Sequence, residues 1–344
     1  MIPTDSDSQS PLESHDNGSS GIIFPEITRN LAISFYSFFH GRKDVYASRS
    51  KTSGYHTVCQ NFWKYGICPK IDAKREGKKA PCHNCPSQDY TELKVSAIIS
   101  HLRGEKEDCS DVIGLYPLFP DGTCYYLVFD FDDHHGEGIP GTSSDWRREV
   151  DAMRSVCSSL SVDCLVERSR SGNGAHIWIF FDKAVPTYKA RRFGEALILK
   201  GSESVNMTSF RYFDRMIPKQ DSLPPGGLWN LVALPLQGRA LLKGNSAFVD
   251  ENWIPYPDQW RKLFSLRKLT LDEMDSLLLS WNIGDNPMKV FAEDTISLET
   301  DGDEEDTPLL FGSSPKPSLS SFVSSDVDGE VRIILSDGEY LTSL

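Results

Sequence analysis

Long apolar runs are missing from this chain of 344 residues. No stretch approaches the ~20 consecutive apolar residues that a membrane-spanning helix requires. Residues 1–20 also lack the basic-then-apolar order of a secretory signal, so a cytoplasmic protein is expected. Basic residues are scarce at both ends. Residues 1–20 contain four acids and no Lys or Arg, and residues 291–344 contain 13 acids against Lys316 and Arg332 alone. The net charge of −13 therefore resides in the tails, since residues 21–290 hold 32 acids against 34 bases. Such tails read as solvated and disordered, and the near-neutral middle leaves a nucleic-acid partner open. Several signatures are absent as well. No G-x-x-x-x-G-K-[ST] occurs, which excludes a P-loop motor. No G-x-S-x-G or H-E-x-x-H occurs, which argues against those hydrolases and zinc proteases. There is no internal repeat.

What is present suits a soluble domain with a real core: hydrophobic residues make up 39% and charged residues 25%, both ordinary for a globular chain. The pattern mixes helices with hairpin-linked strands. "LAISFYSFFHG" reads as a helix stopping at Gly41. "VIGLYPL" and "TCYYLVFDFDD" read as strands around a Pro-Asp-Gly turn. Trp146, Val150, Met153, Cys157 and Leu160 recur at helical spacing, with Ser144 or Asp145 available as the cap. "CLVERS" and "AHIWIFF" are strands joined by Ser171-Gly-Asn-Gly174, and Asn-Gly suits a type I′ turn. A helix follows from Thr187 to Lys200. "FRYFDRMI" and "NLVALPL" are further strands, and "TLDE" at 270–273 is a capping box. "EVRIILSDGEYLTS" is a C-terminal hairpin candidate. The fold class is α+β rather than a doubly wound parallel sheet.

Chemistry concentrates in three places. In "YLVFDFDDHH", Asp130 and Asp132 share one face of a strand. Two carboxylates so placed are costly unless a cation neutralises them, and Mg²⁺ or Mn²⁺ with oxygen ligands is the common answer. The plainer account is a strand end opening into a solvated loop. Asp214 adds a third carboxylate, on the face of Tyr212 and Met216 by simple alternation, with Asp221 as its competitor; its plainer role is a surface carboxylate paired with Arg211 or Arg215. Three carboxylates on two strands suit two ions ~3.5–4 Å apart, the arrangement for in-line phosphoryl or nucleotidyl transfer. The hairpin "ERSRSGNGAHIWIFF" is the second place. An ordinary turn explains Asn173 and Gly174, but not Arg168, Arg170 and Ser171 on one side with His176 on the other. These groups suit a polyanion such as a nucleoside triphosphate. The third place is Cys59-x8-Cys68-x13-Cys82-x2-Cys85. Four thiolates suit tetrahedral structural Zn²⁺, with His56 and His83 as substitute ligands. The intervening Lys70, Lys74, Arg75, Lys78 and Lys79 are either solvated or in contact with phosphates. Cys109, Cys124, Cys157 and Cys164 read as small core residues.

In their order, Asp130/Asp132, Gly174-Ala175-His176 and Asp214 resemble the archaeo-eukaryotic primase superfamily. The resemblance is closest to the primase domain of TOTE-type conflict systems. It is carried by "FHGRKDVYA", the four cysteines, "IGLYPL", "ERSRSGNGAHIWIFF", "FDRMIPKQD" and "NLVALPLQGRALLKGNSAFVD", about residues 35–265. The resemblance implies an RRM-like sheet joined to a second α/β unit, with a zinc region near the start. It implies that Asp130, Asp132 and Asp214 hold the catalytic metals, and that His176 with Ser171 contacts the incoming nucleotide. Gly174, Arg168, Arg170 and Lys219 are further candidates for the triphosphate, and Arg239 and Lys243 for template or primer phosphates. Expected partners are single-stranded DNA template and primer, NTP or dNTP, and a helicase and nuclease. The expected division is a tail (1–22), an N-terminal zinc-knuckle region (23–95), a catalytic core (96–285) and an acidic tail with a hairpin (286–344). A DNA primase or primase-polymerase is the leading reading. A non-catalytic single-strand-binding module and a metal-dependent nuclease are the alternatives.

Overall fold

The computed structural model describes residues 21–51, 54–78, 82, 85–133, 145–224, 227–228 and 231–283, and three short strands after residue 323. The acidic tails expected to be disordered, and His83, lie almost wholly outside the described residues. Met1–Asp301 form one compact unit and Gly302–Leu344 another.

The first unit begins with α1 (Arg29–Tyr36), β1 (Ala47–Arg49), β2 (Tyr55–Thr57), α2 (Pro69–Arg75), α3 (Val95–Arg103) and β3 (Ile113–Leu115). Its middle is β4 (Thr123–Asp132), α4 (Trp146–Ser159), β5 (Leu165–Arg168), β6 (Gly174–Pro186), α5 (Thr187–Ser204) and β7 (Phe213–Ile217). It closes with β8 (Val232–Ala233), α6 (Gly238–Leu241), β9 (Ala247–Phe248), α7 (Gln259–Phe264) and α8 (Leu271–Ser280). In the second unit, β10 (Ser324–Ser325), β11 (Val331–Ile334) and β12 (Tyr340–Leu341) form an antiparallel sheet.

The segment β4–α4–β5–β6–α5–β7 is a βαββαβ unit with neighbours in the order β7-β4-β6-β5, extended by β9. All these pairings are antiparallel. This is the ferredoxin-like connectivity of an RRM-type sheet. A second antiparallel sheet has the order β2-β1-β3-β8. The α+β expectation therefore holds.

Alternation explains how the central sheet is covered. Leu127, Phe129, Phe131, Val166, Ile177, Ile179 and Phe181 face Val150 and Met153 of α4, Phe193 and Leu197 of α5, and Met274 of α8. Tyr126, Val128, Leu165, Trp178 and Phe180 face the other way, toward Phe35, Phe39 and Trp260. Asp145, not Ser144, caps α4 by accepting the Arg147 N–H at 3.1 Å. Thr270 and Glu273 form the expected capping box. The structure lengthens one expected helix and shortens one strand. α5 runs on to Ser204, while the "NLVALPL" strand shrinks to Val232–Ala233 before Pro235, which cannot donate to a ladder. Among the described residues, no helix is long and apolar enough to cross a membrane.

Candidate active site

The ladder places three polar residues side by side. Asp130 on β4 pairs with His176 on β6, and His176 pairs with Glu167 on β5. All three point away from the α4/α5 layer, on the face of Trp178. His176 Nε2 lies 3.4 Å from Asp130 Oδ1, and its Nδ1 lies 2.9 Å from Glu167 Oε2. The indole N–H of Trp178 donates to the same Glu167 oxygen at 2.9 Å, and the Ser246 hydroxyl reaches Oε1 at 3.4 Å. Glu167 is buried, so these donors replace the water it gives up. Burial alone would lower the His176 pKa, but the carboxylates of Glu167 and Asp130 raise it well above the usual value. Burial likewise pushes the Asp130 carboxyl up, but His176 and Arg215 outweigh it and hold the group below the usual carboxylate range. Both shifts favour the charged forms of the two groups.

The third carboxylate arrives by a route that alternation misses. Phe131 pairs with Phe213 and Asp130 with Arg215, so Asp214 is the extra residue of a β-bulge. A bulge re-aims side chains. Simple alternation would turn Asp214 to the Met216 face, against the α layer. Instead, Asp214 Oδ2 lies 2.8 Å from Arg215 Nε, and Asp130 Oδ2 lies 3.2 Å from the same nitrogen. Burial acts against the Arg215 charge, but Asp130, Asp214 and Asp132 together favour it. Glu149 of α4 fixes the approach to β7 by accepting the backbone N–H groups of Arg211 and Tyr212 at 2.8 and 2.9 Å. Sequence reasoning names Arg215 only as a surface partner of Asp214, a pairing the structure contains, and misses Glu167 and Glu149. For Glu167 the available signal is an acid on the strand that the hairpin pairs with His176.

The hairpin differs from the expected Asn-Gly turn. Its loop runs from Ser169 to Asn173, and the left-handed residue is Gly172, with φ 87°. Gly174 instead opens β6 opposite Asp132. A Cβ there would sit 2.3 Å from the Phe131 carbonyl and 3.2 Å from an Asp132 carboxylate oxygen. The glycine is required by close approach of two strands. Ser171 lies in the loop, its hydroxyl 3.0 Å from that of Ser169 and accepting the Asn173 N–H.

Several candidates are placed elsewhere. Arg168 shares the Val166 face, and its guanidinium donates to the carbonyls of Gly244 and Trp253. It braces a distant loop instead of joining His176. Arg170 is hydrogen bonded to Tyr55 of β2. Lys219 follows β7, which runs toward the start of β4 and away from Asp130. Asp221 pairs with Arg191 of α5 at 2.6 Å, and its carbonyl lies by Gly122 before β4. It is thus at the opposite end of β4 from Asp130. Arg239 lies on α6 against Gly104, 4.0 Å from Glu107. Lys243 is exposed on the turn after α6.

Cys59, Cys68, Cys82 and Cys85 line one cavity, with Phe62, Lys70 and Tyr90. The Cys59 sulfur accepts the N–H groups of Asn61 and Asp89, both at 3.4 Å. Burial pushes the Cys82 thiol up, with Lys70 opposing. Cys124 and Cys157 are buried and Cys109 and Cys164 half-buried, all as free thiols. Among the described residues, no group of three or more His, Cys, Asp or Glu side chains is closed tightly enough to hold a metal ion.

Residues 31–277 match the family model described as "TOTE conflict system, Archaeo-Eukaryotic Primase domain". The chain belongs to this family. The matched span of this TOTE-type primase domain runs from α1 into α8, and so includes both the cysteine cavity and the carboxylate face. The assignment carries nucleotidyl transfer as the activity of the family. A search of curated proteins finds no match. Among solved structures, the polymerase domain of Mycobacterium tuberculosis ligase D, in complex with DNA, is similar. That similarity covers 78% of this chain and 94% of the other, with 13% identity and a TM-score of 0.36.

Proposed function

We propose that the protein is a template-dependent nucleotidyltransferase, a DNA primase or primase-polymerase. One observation carries the reading: Asp130, Asp214 and His176 converge on one face of the sheet, with Asp132 at the same strand end. In the reaction, a 3′-oxygen bonds to the α-phosphorus of a nucleoside triphosphate. The bond to pyrophosphate breaks, and the hydroxyl proton leaves to solvent.

The residues suit divalent cations in their chemistry. Asp130 and Asp214 already flank one cation, the Arg215 guanidinium, and the donors are anionic oxygens of the kind Mg²⁺ and Mn²⁺ prefer. Asp130, Asp132 and Asp214 would hold them. When bound, two such ions supply acidification of the attacking hydroxyl and neutralisation of phosphate charge. Asp214 is favoured over Asp221 because Asp221 lies by Gly122, at the opposite end of β4 from Asp130. His176, held by Glu167, presents its Nε2–H on the carboxylate side, where a phosphate oxygen can accept it. Ser171 and Arg170 of the hairpin loop, and Gly174 opposite Asp132, are the further candidates for the triphosphate. Arg239 and Lys243 lie on or beside α6, where they would follow strand phosphates, whereas Arg168 and Lys219 serve the nucleotide only if they leave their present positions. Single-stranded DNA template and primer are the proposed partners. A structural Zn²⁺ is proposed for Cys59, Cys68, Cys82 and Cys85, supported by their shared cavity; closing the site would require the thiols to draw together.

The test is incorporation of labelled NTP or dNTP on a single-stranded template, with and without primer, in Mg²⁺ or Mn²⁺. Asp130→Ala with Asp132→Ala should abolish extension. Undiminished extension by that variant refutes the assignment, and shortening of the labelled strand would indicate a nuclease instead.

A further inference from the structure

A second surface of the primase domain combines exposed aromatic rings with positive charge. Trp63, Tyr65 and Ile67 are 44%, 76% and 46% exposed. Rings left in water forgo the ~1.5–3 kcal/mol that burying a large apolar side chain contributes. Trp63 also has φ 56°, a left-handed conformation that is uncommon for a bulky residue. The next element, α2, buries none of its residues. It lays Lys70 over Phe62 at 5.7 Å, Lys74 over Trp63 at 5.4 Å and Arg75 over Tyr65 at 5.5 Å. Residues 61–78 hold five bases, Lys64, Lys70, Lys74, Arg75 and Lys78, against Asp72 and Glu76, within a chain of net charge −13. The charge here is opposite to that of the whole.

β2 connects this surface to the hairpin along the chain, through neighbouring residues on its two faces. Tyr55 of β2 is hydrogen bonded to Arg170. The next residue, His56, stacks on Phe62 with ring centres 4.4 Å apart, and Phe62 meets Trp63 at 5.9 Å.

We infer that residues 62–78 form a platform for single-stranded nucleic acid, on which bases stack against Trp63 and Tyr65 while Lys70, Lys74 and Arg75 pair with the phosphates. Stacking platforms of this kind accept any base, because every base has a π-face. A duplex has its bases already stacked and gains only the phosphate contacts. The inference rests on the proposed reaction for the strand's identity as template, but binding itself needs neither nucleotide nor divalent metal.

The test is fluorescence anisotropy of a labelled oligonucleotide with the full chain, without nucleotides. Trp63→Ala with Tyr65→Ala should weaken single-strand binding about 10-fold or more, with little effect on duplex. Trp63→Phe with Tyr65→Phe should restore most of it. Lys74→Ala with Arg75→Ala should flatten the salt dependence by about 0.7 in log–log slope per side chain. Unchanged single-strand affinity in the alanine pair overturns the platform, as does equal weakening for single strand and duplex. Loss of binding in the aromatic variants from a protein that incorporates no nucleotide would uphold the platform and refute only the polymerase reading.

Discussion

The two faces of the five-stranded sheet are built from alternate residues of the same strands, yet they are stabilised in opposite ways. On the face toward α4, α5 and α8, Leu127, Phe129, Phe131, Ile177 and Ile179 are fully buried among apolar neighbours. The other face begins the same way, with Tyr126, Val128, Trp178 and Phe180. It then changes character within one residue pair, to Asp130, His176 and Glu167. One face is held by excluded water. The other end is held by mutual charge compensation, in which each ion is acceptable only because the next is present. A strand can thus act as core and active site at once, if each property takes one parity.

Substitutions one residue apart should therefore fail differently. Asp130→Ala should reduce nucleotide incorporation by about 10³-fold or more while the fold survives in circular dichroism. Phe129→Ala should do the reverse, costing about 3–5 kcal/mol of stability in denaturant melts. If both variants lose only stability, the division between the faces is wrong. Gly174→Ala would touch both properties, since its Cβ meets the Phe131 carbonyl. Separating the strands should cost about 1–3 kcal/mol and lower activity with it. Glu167→Gln weakens the charge-assisted hold on His176, worth about 1.5–3 kcal/mol. It should raise KM for nucleotide about 10-fold or more while kcat changes less; a pure stability loss with unchanged KM would deny Glu167 a positioning role. The smallest effect is that of pH. Against burial, Glu167 and Asp130 raise the His176 pKa above its unfolded value of 6.5. Its contribution is thus full below that value and is lost as pH rises through the raised pKa. The stability gap between the wild type and His176→Phe, from thermal melts, should narrow from neutral to alkaline pH. A constant gap would contradict the charge assignment.

Much of this arrangement is legible in the sequence, because period-2 alternation depends only on neighbouring residues. Asp130, Asp132 and His176 can be placed on strands and faces from it. Asp214 can be named but not oriented, since a bulge is set by the pairing partner rather than by the strand itself. Arg168 beside a turn resembles an anion ligand, yet its carbonyl partners, Gly244 and Trp253, lie more than 70 residues onward. Long-range contacts of that kind leave no local trace. Glu167 is different: it meets His176 and Trp178 within one hairpin, so the hairpin register is a local signal that points to it. The glycines illustrate the converse. Asn173-Gly174 suggests a two-residue turn, whereas Gly172 turns the chain and Gly174 keeps two strands close.

Strand order also divides the site by mobility. Asp130 and His176 lie on β4 and β6, each with hydrogen-bonded neighbours on both sides, while Asp214 and Arg215 lie on β7, an edge. Local opening releases edges before centres. In amide hydrogen exchange, the segment around Asp214 should therefore exchange well before those around Asp130 and His176. Asp130 and His176 would then stay in place until the sheet opens, whereas Asp214 could swing on a smaller fluctuation. Entry and exit of ligands would then be timed by β7 alone.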